Sequence, residues 1–157
     1  MKLKNYILIY LISLSVGSAE IVGEIEKVGI PQINYTTDAR IDSGAKTTSI
    51  LGTDLKEKSL NGKNTLSFCI EANGKKMEVT APIIKKIKIK SAVSAKKNER
   101  YVIELPICLG NKLKKISATV ANRSHMDYQV LIGRNLLIDG YLIDVSKKYL
   151  LGNPSCK

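Results

Sequence analysis

Among the groups in this 157-residue chain that could break a peptide bond, the carboxylates are the best placed. A serine or cysteine nucleophile needs a base close by, usually histidine, and the single histidine, His125, sits in a polar stretch beside Met126. A zinc peptidase would need three protein ligands, and no H-E-x-x-H occurs. Cys69, Cys108 and Cys156 show no C-x-x-C spacing, and no glycine-rich phosphate loop is present. The sequence therefore predicts neither metal nor cofactor. Asp42 remains: it follows the apolar Ile41, enters a turn at Gly44, and is flanked by hydroxyls at Ser43, Thr47, Thr48 and Ser49. The bland reading of such an aspartate is a turn cap. The chemical reading is one half of a pair. Two carboxylates a few ångströms apart cannot both ionise, so one serves as base toward a water while the other, protonated, polarises the scissile carbonyl. With one such loop per chain, the pair requires a symmetric dimer.

The run Ile41-Asp42-Ser43-Gly44-Ala45 resembles the D-[ST]-G-A loop of retropepsin-like aspartic peptidases. Val130-Leu131-Ile132-Gly133-Arg134-Asn135 is similar to their second hallmark, an apolar pair and a glycine that open the C-terminal helix. A closer resemblance is to the bacterial branch labelled ATP-dependent zinc protease, or RimK-associated. It rests on residues 39–49, Glu99-Arg100, residues 123–128 and Leu131-Ile132-Gly133-Arg134, and spans about residues 21 to 150. The resemblance implies an all-β, retropepsin-like closed barrel with one short C-terminal helix, and a homodimer acting as a peptide hydrolase. By position it makes Asp42 catalytic, Ser43 the interloop hydroxyl and Gly44 the backbone that meets substrate. Ala45 and Thr47 complete the loop, Ile132 and Gly133 pack beneath it, and Arg134 supports it. Viral relatives supply an acidic partner where this chain has Lys46, so that support must take another form. The ATP and zinc of the label find no phosphate loop and no ligand cluster in the sequence.

The elements that must hold these residues read as short strands. Alternation from Ile21 to Ile30 predicts a first strand, ended by Pro31 and Asn34, and a second strand ends at Ile41. Thr65–Ala72 and Lys75–Thr80 flank Asn73-Gly74, a strong hairpin signal. Ile87-Lys88-Ile89-Lys90 alternates, placing isoleucines on one face and lysines on the other. Ser91 to Arg100 is expected to be a loop. Tyr101–Leu109 and Leu113–Val120 around Gly110-Asn111 form another hairpin, in which Pro106 marks an edge or a bulge. Strand, short helix, strand is the parse from Val130 to Val145. The flap that closes over a peptide falls within Ile87–Arg100, although no glycine occurs between Gly74 and Gly110.

Lys2 and Lys4, the apolar run Tyr6–Val16 and the small residues Gly17-Ser18-Ala19 have the three parts of a secretory signal. The run is shorter than the roughly 20 residues a spanning helix needs. Cleavage after Ala19 would leave residues 20–157 as one domain, exported to the periplasm or beyond, with no integral membrane segment. Removing two lysines leaves 23 basic against 14 acidic residues, a net charge of +9, which favours acidic partners. Nucleic acid is disfavoured by the absence of Trp, a single Phe and lysines spread along the chain. In an oxidising compartment the three cysteines allow one bridge and one free thiol, with the pairing left open. The sequence thus points to an exported aspartic endopeptidase working as a homodimer on peptide or protein, acidic in preference. The alternative is a non-catalytic envelope module of the same fold that binds an acidic peptide or glycan.

Overall fold

A computed structural model describes residues 19–72, 74–90, 97–122, 126–138 and 140–156. The predicted leader, the hairpin residue Asn73, the segment 91–96 and His125 with Arg123 and Ser124 lie outside these residues. The strands are β1 (Glu20–Gly23), β2 (Ile25–Ile30), β3 (Tyr35–Ile41), β4 (Thr48–Leu51), β5 (Thr53–Leu60), β6 (Lys63–Ala72), β7 (Lys75–Lys90), β8 (Lys97–Leu109), β9 (Lys112–Ala121), β10 (Val130–Ile132) and β11 (Tyr141–Asp144). A 3-10 turn covers Pro31–Ile33, and one short helix, α1, covers Arg134–Leu137.

Strands β2-β3-β10-β4-β9-β8 form one continuous sheet, and β8 returns to β2 through Val28↔Leu109 and Gly29↔Cys108. The result is the closed six-stranded barrel with one short helix that the sequence led us to expect. Alternation along each strand sends Val28, Ile30, Ile41, Ile50, Ile103, Leu105, Ile107, Val120, Val130 and Ile132 inward, where all are buried. Strands β5, β6 and β7 extend the sheet from β8. Their inner face adds Leu66, Phe68, Ile70 and Val79 to the same core.

Several expectations are corrected in detail. The single strand foreseen from Ile21 to Ile30 is two, β1 pairing with β11 and β2 entering the barrel. The break follows from Glu26, fully buried, whose carboxylate accepts the N–H groups of Gly23 (2.7 Å), Leu150 (2.9 Å) and Leu151 (3.1 Å). A buried charge needs such partners, and the chain bends at Glu24 to deliver them. The loop foreseen up to Arg100 ends earlier, because β7 and β8 stay in register from Lys85↔Val102 out to Lys90↔Lys97. Strands β4 and β5 had no counterpart in the predicted pattern; β5 is a largely exposed, charged edge strand. Pro106 lies where β8 changes neighbour, after its last pair with β7 at Ile103 and before its pairs with β2 at Cys108 and Leu109. A residue without an N–H is tolerated in that gap.

The C-terminal segment crosses the end of the barrel as a strap. Backbone bonds tie Glu24 N to Lys147 O (2.8 Å), Tyr149 N to Ile25 O (2.8 Å) and Ser155 N to Gly110 O (2.8 Å). A disulfide joins Cys108 to Cys156 and leaves Cys69 as a free, half-buried thiol on β6. No helix among the described residues is long and apolar enough to cross a membrane.

Candidate active site

Strands β3 and β10 run parallel and in register, Ile41 opposite Ile132. Their chains therefore leave the sheet side by side, β3 into the loop from Asp42 and β10 into α1. The two exits are stitched together at once: Asp42 N donates to Ile132 O (2.9 Å), Arg134 N to Ala45 O (2.9 Å) and Asn135 N to Lys46 O (3.2 Å). The first N–H groups of a helix lack partners within it, and here the loop carbonyls supply them.

The Asp42 carboxylate is half-buried and turned back on its own loop. Its Oδ1 accepts the N–H groups of Gly44 (2.8 Å) and Ala45 (3.1 Å). Among the described residues nothing bonds its Oδ2. One oxygen is thus fixed by backbone and the other is left to meet a second group. A Cβ on Gly44 would stand 3.1 Å from Asp42 Oδ1, against the face the carboxylate occupies.

Arg134 reaches across the same loop, its Nη1 donating to Ser43 O (2.7 Å) and Gly44 O (3.0 Å). The cation needs no acidic partner at Lys46, because two carbonyls replace it. Ser43 itself is exposed, and its contact with Arg134 runs through its carbonyl rather than its hydroxyl. Gly133 is buried beneath the loop, where a Cβ would lie 2.7 Å from Thr47 C and 2.9 Å from Thr48 N. Ile132 is fully buried and Thr47 half-buried above it.

Two residues outside the predicted set hold this frame. Thr48, fully buried, donates through Oγ1 to Asn135 Oδ1 (3.0 Å) and accepts from Gly133 N (3.1 Å). Asn135 Oδ1 also accepts from Thr48 N (2.8 Å), and its Nδ2 donates to Ser117 O on β9 (2.7 Å). Loop, helix and barrel wall are joined by one threonine and one asparagine. The available signal was their position, each directly beside a predicted site residue, Thr47 or Arg134. Glu99 and Arg100, also quoted in the sequence pattern, sit away from this frame on β8, opposite Lys88 and Ile87. Among the described residues no group of three or more His, Cys, Asp or Glu side chains is arranged to hold a metal ion.

Comparison with known proteins adds three findings. Residues 21–154 match the family model described as RimB-like, retropepsin-like aspartic endopeptidase RimB. Two curated relatives are each named probable alpha-L-glutamate ligase. That of Desulfotalea psychrophila is 30% identical over 141 residues, covering 87% of this chain and 30% of the relative. That of Shewanella pealeana is 31% identical over 129 residues, covering 80% and 27%. The chain spans less than a third of the length of these relatives. A solved Legionella pneumophila protein of unknown function superposes with a TM-score of 0.77 at 27% identity, covering 85% of this chain and 99% of that one.

Proposed function

Because the chain belongs to the RimB-like family of retropepsin-like aspartic endopeptidases, we propose that it is an exported endopeptidase whose homodimer hydrolyses acidic peptides. The observation that carries this reading is the Asp42 carboxylate, with Oδ1 fixed by two N–H groups and Oδ2 unengaged among the described residues. Two copies brought together about a twofold axis set two such carboxylates face to face. They share one proton. The ionised aspartate takes a proton from a water whose oxygen attacks the scissile carbonyl carbon, while the protonated one hands its proton to the carbonyl oxygen. Collapse of the gem-diol intermediate breaks the C–N bond: the amine leaves with the proton held by the dyad, and a hydroxyl of the gem-diol gives its proton to the other aspartate as the C=O re-forms, which restores the shared proton.

Further features support each part. Ile21 and Leu142 stand opposite one another on β1 and β11 and are exposed, as are Ile138 and Val145 on either side of β11 in sequence. Such surface suits burial against a second copy. The Cys108–Cys156 bridge supports export, since disulfides persist in oxidising compartments. An acidic substrate agrees with the formal charge of +9 that residues 20–157 carry. It also agrees with the naming of two relatives for alpha-L-glutamate chemistry.

The direct test is Asp42→Asn, isosteric and unable to act as a base. We expect peptide hydrolysis to fall by about a thousandfold or more while the circular dichroism spectrum and the dimeric sedimentation of the protein are kept. Unchanged hydrolysis by that variant, or full activity in a preparation that sediments as monomer, overturns the reading.

A further inference from the structure

The barrel closes where β2 meets β8, and that seam is short: Val28 pairs with Leu109 and Gly29 with Cys108. The C-terminal strap lies across it. On the β2 side Tyr149 N donates to Ile25 O (2.8 Å), and Leu150 N and Leu151 N donate to the Glu26 carboxylate. On the β8 side Ser155 N donates to Gly110 O (2.8 Å), and Cys156 is bonded to Cys108 itself. Gly29 shows how closely the three chains meet, since a Cβ there would stand 3.3 Å from both Cys108 Cβ and Pro154 Cγ. The disulfide is thus a covalent clasp over the join in the barrel wall.

A cavity of about 170 Å³ reaches this clasp, with Cys108, Cys156, Pro154 and Tyr35 on its lining. Asn34 and Thr36 also line it and are exposed, so it opens to solvent. None of the lining side chains is charged at neutral pH, and an incoming thiolate meets no carboxylate there. The two sulfurs are not equivalent. Cys108 is 3% exposed and Cys156 is half-buried, so a nucleophile in the cavity meets Cys156 first. Cys156 N–H donates to Cys108 Sγ (3.2 Å), which stabilises negative charge on the sulfur that would leave. Gly110 O lies 3.6 Å from the same sulfur, placed to accept its S–H once it takes up a proton.

We propose that Cys156 is a thiol–disulfide exchange site open to dithiols in the folded protein, and that reduction there unclasps the barrel seam. One thiolate of the dithiol attacks Cys156 Sγ; the Cys108–Cys156 bond breaks, a mixed disulfide forms, and Cys108 leaves as thiolate and is protonated. The second thiol of the reductant, deprotonated, attacks its own partner sulfur in the mixed disulfide, closes the reductant's disulfide and releases Cys156, which is protonated in turn. Two electrons and two protons pass from dithiol to protein. The hold of the strap on β8 falls to the hydrogen bonds at Gly110 and Cys108, while its hold on β2 is untouched. The clasp belongs to β8 and the strap rather than to the Asp42 loop, so the proposal is independent of the peptidase reading.

The test uses oxidised protein carrying Cys69→Ser, so that every thiol detected comes from the bridge. Reduction by dithiothreitol is quenched with iodoacetamide and read by mass spectrometry, in water and in urea below the unfolding transition. Direct attack predicts a rate proportional to dithiol that changes by less than about twofold with urea, whereas attack on unfolded protein would climb steeply with it. Thr36→Trp, which fills the mouth of the cavity, is expected to slow reduction by about tenfold or more. On reduction, amide hydrogen exchange at residues 25–30 and 107–110 is expected to quicken by about tenfold or more. A rate that tracks global unfolding, an unchanged rate in folded Thr36→Trp, or seam amides that exchange equally in both redox states overturns the proposal. If Thr36→Trp does not fold, the urea dependence and the exchange at the seam decide it.

Discussion

Thr48 occupies a position where every polar atom has a fixed partner. Its hydroxyl joins the helix-start residue Asn135 to the buried N–H of Gly133, and its own N–H ends on the same asparagine oxygen. Thr48→Val keeps the shape and removes the hydroxyl, leaving Gly133 N buried without an acceptor. We expect a loss of about 1–3 kcal/mol in denaturant unfolding, accompanied by a fall in hydrolysis, because the loop bearing Asp42 is seated on this bond. Equal stability would mean that Gly133 N finds another acceptor. Arg134 illustrates what a sequence can and cannot convey at this scale. The loop's need for support is legible in Arg134 and in the lysine at position 46; the actual partners, Ser43 O and Gly44 O, are backbone atoms with no side-chain signature.

Hairpins and the strand–helix–strand run from β10 to β11 were legible because their signals are local. Gly74 and Gly110 take the positive φ values, 72° and 61°, that their turns require. The break between β1 and β2 was not legible, since alternation continues through Glu24 and the cause is distant. Glu26 reads as the wet face of a strand, yet two of its three partners lie more than a hundred residues away. The disulfide was equally hidden: three cysteines permit three pairs, and only the strap brings Cys156 to β8. That bridge closes a loop over a sequence separation of 48. Replacing both cysteines by serine is expected to cost about 2–4 kcal/mol, measured by urea unfolding, with Asp42 chemistry retained because the site lies on other elements. A loss of activity larger than the loss of folded protein would show that the strap also shapes the site.

For the molecule as a whole, stability toward alkali has an identifiable contributor. Tyr141 on β11 is buried beside Glu20, and desolvation, reinforced by that carboxylate, pushes its phenol from the ordinary 10 up to about 12. The unfolded chain ionises near pH 10 while the folded chain holds its proton. Stability is therefore complete below pH 10 and is lost as pH rises toward 12. Tyr141→Phe should flatten that fall in unfolding free energy between pH 10 and 12; an unchanged slope would place the alkaline transition elsewhere, such as the many lysines. The barrel itself was legible from many short strands and the two hallmark runs, while its closure through β2 and β8 depended on contacts between strands about eighty residues apart. The buried carboxylate of Glu26 carries a consequence for biogenesis. Its last two donors, at residues 150 and 151, are synthesised more than a hundred residues after Glu26 itself, so this carboxylate gains its full set of partners only once the strap has been made. The final turn of the strap is thereby the contact that completes the shell of donors around this carboxylate.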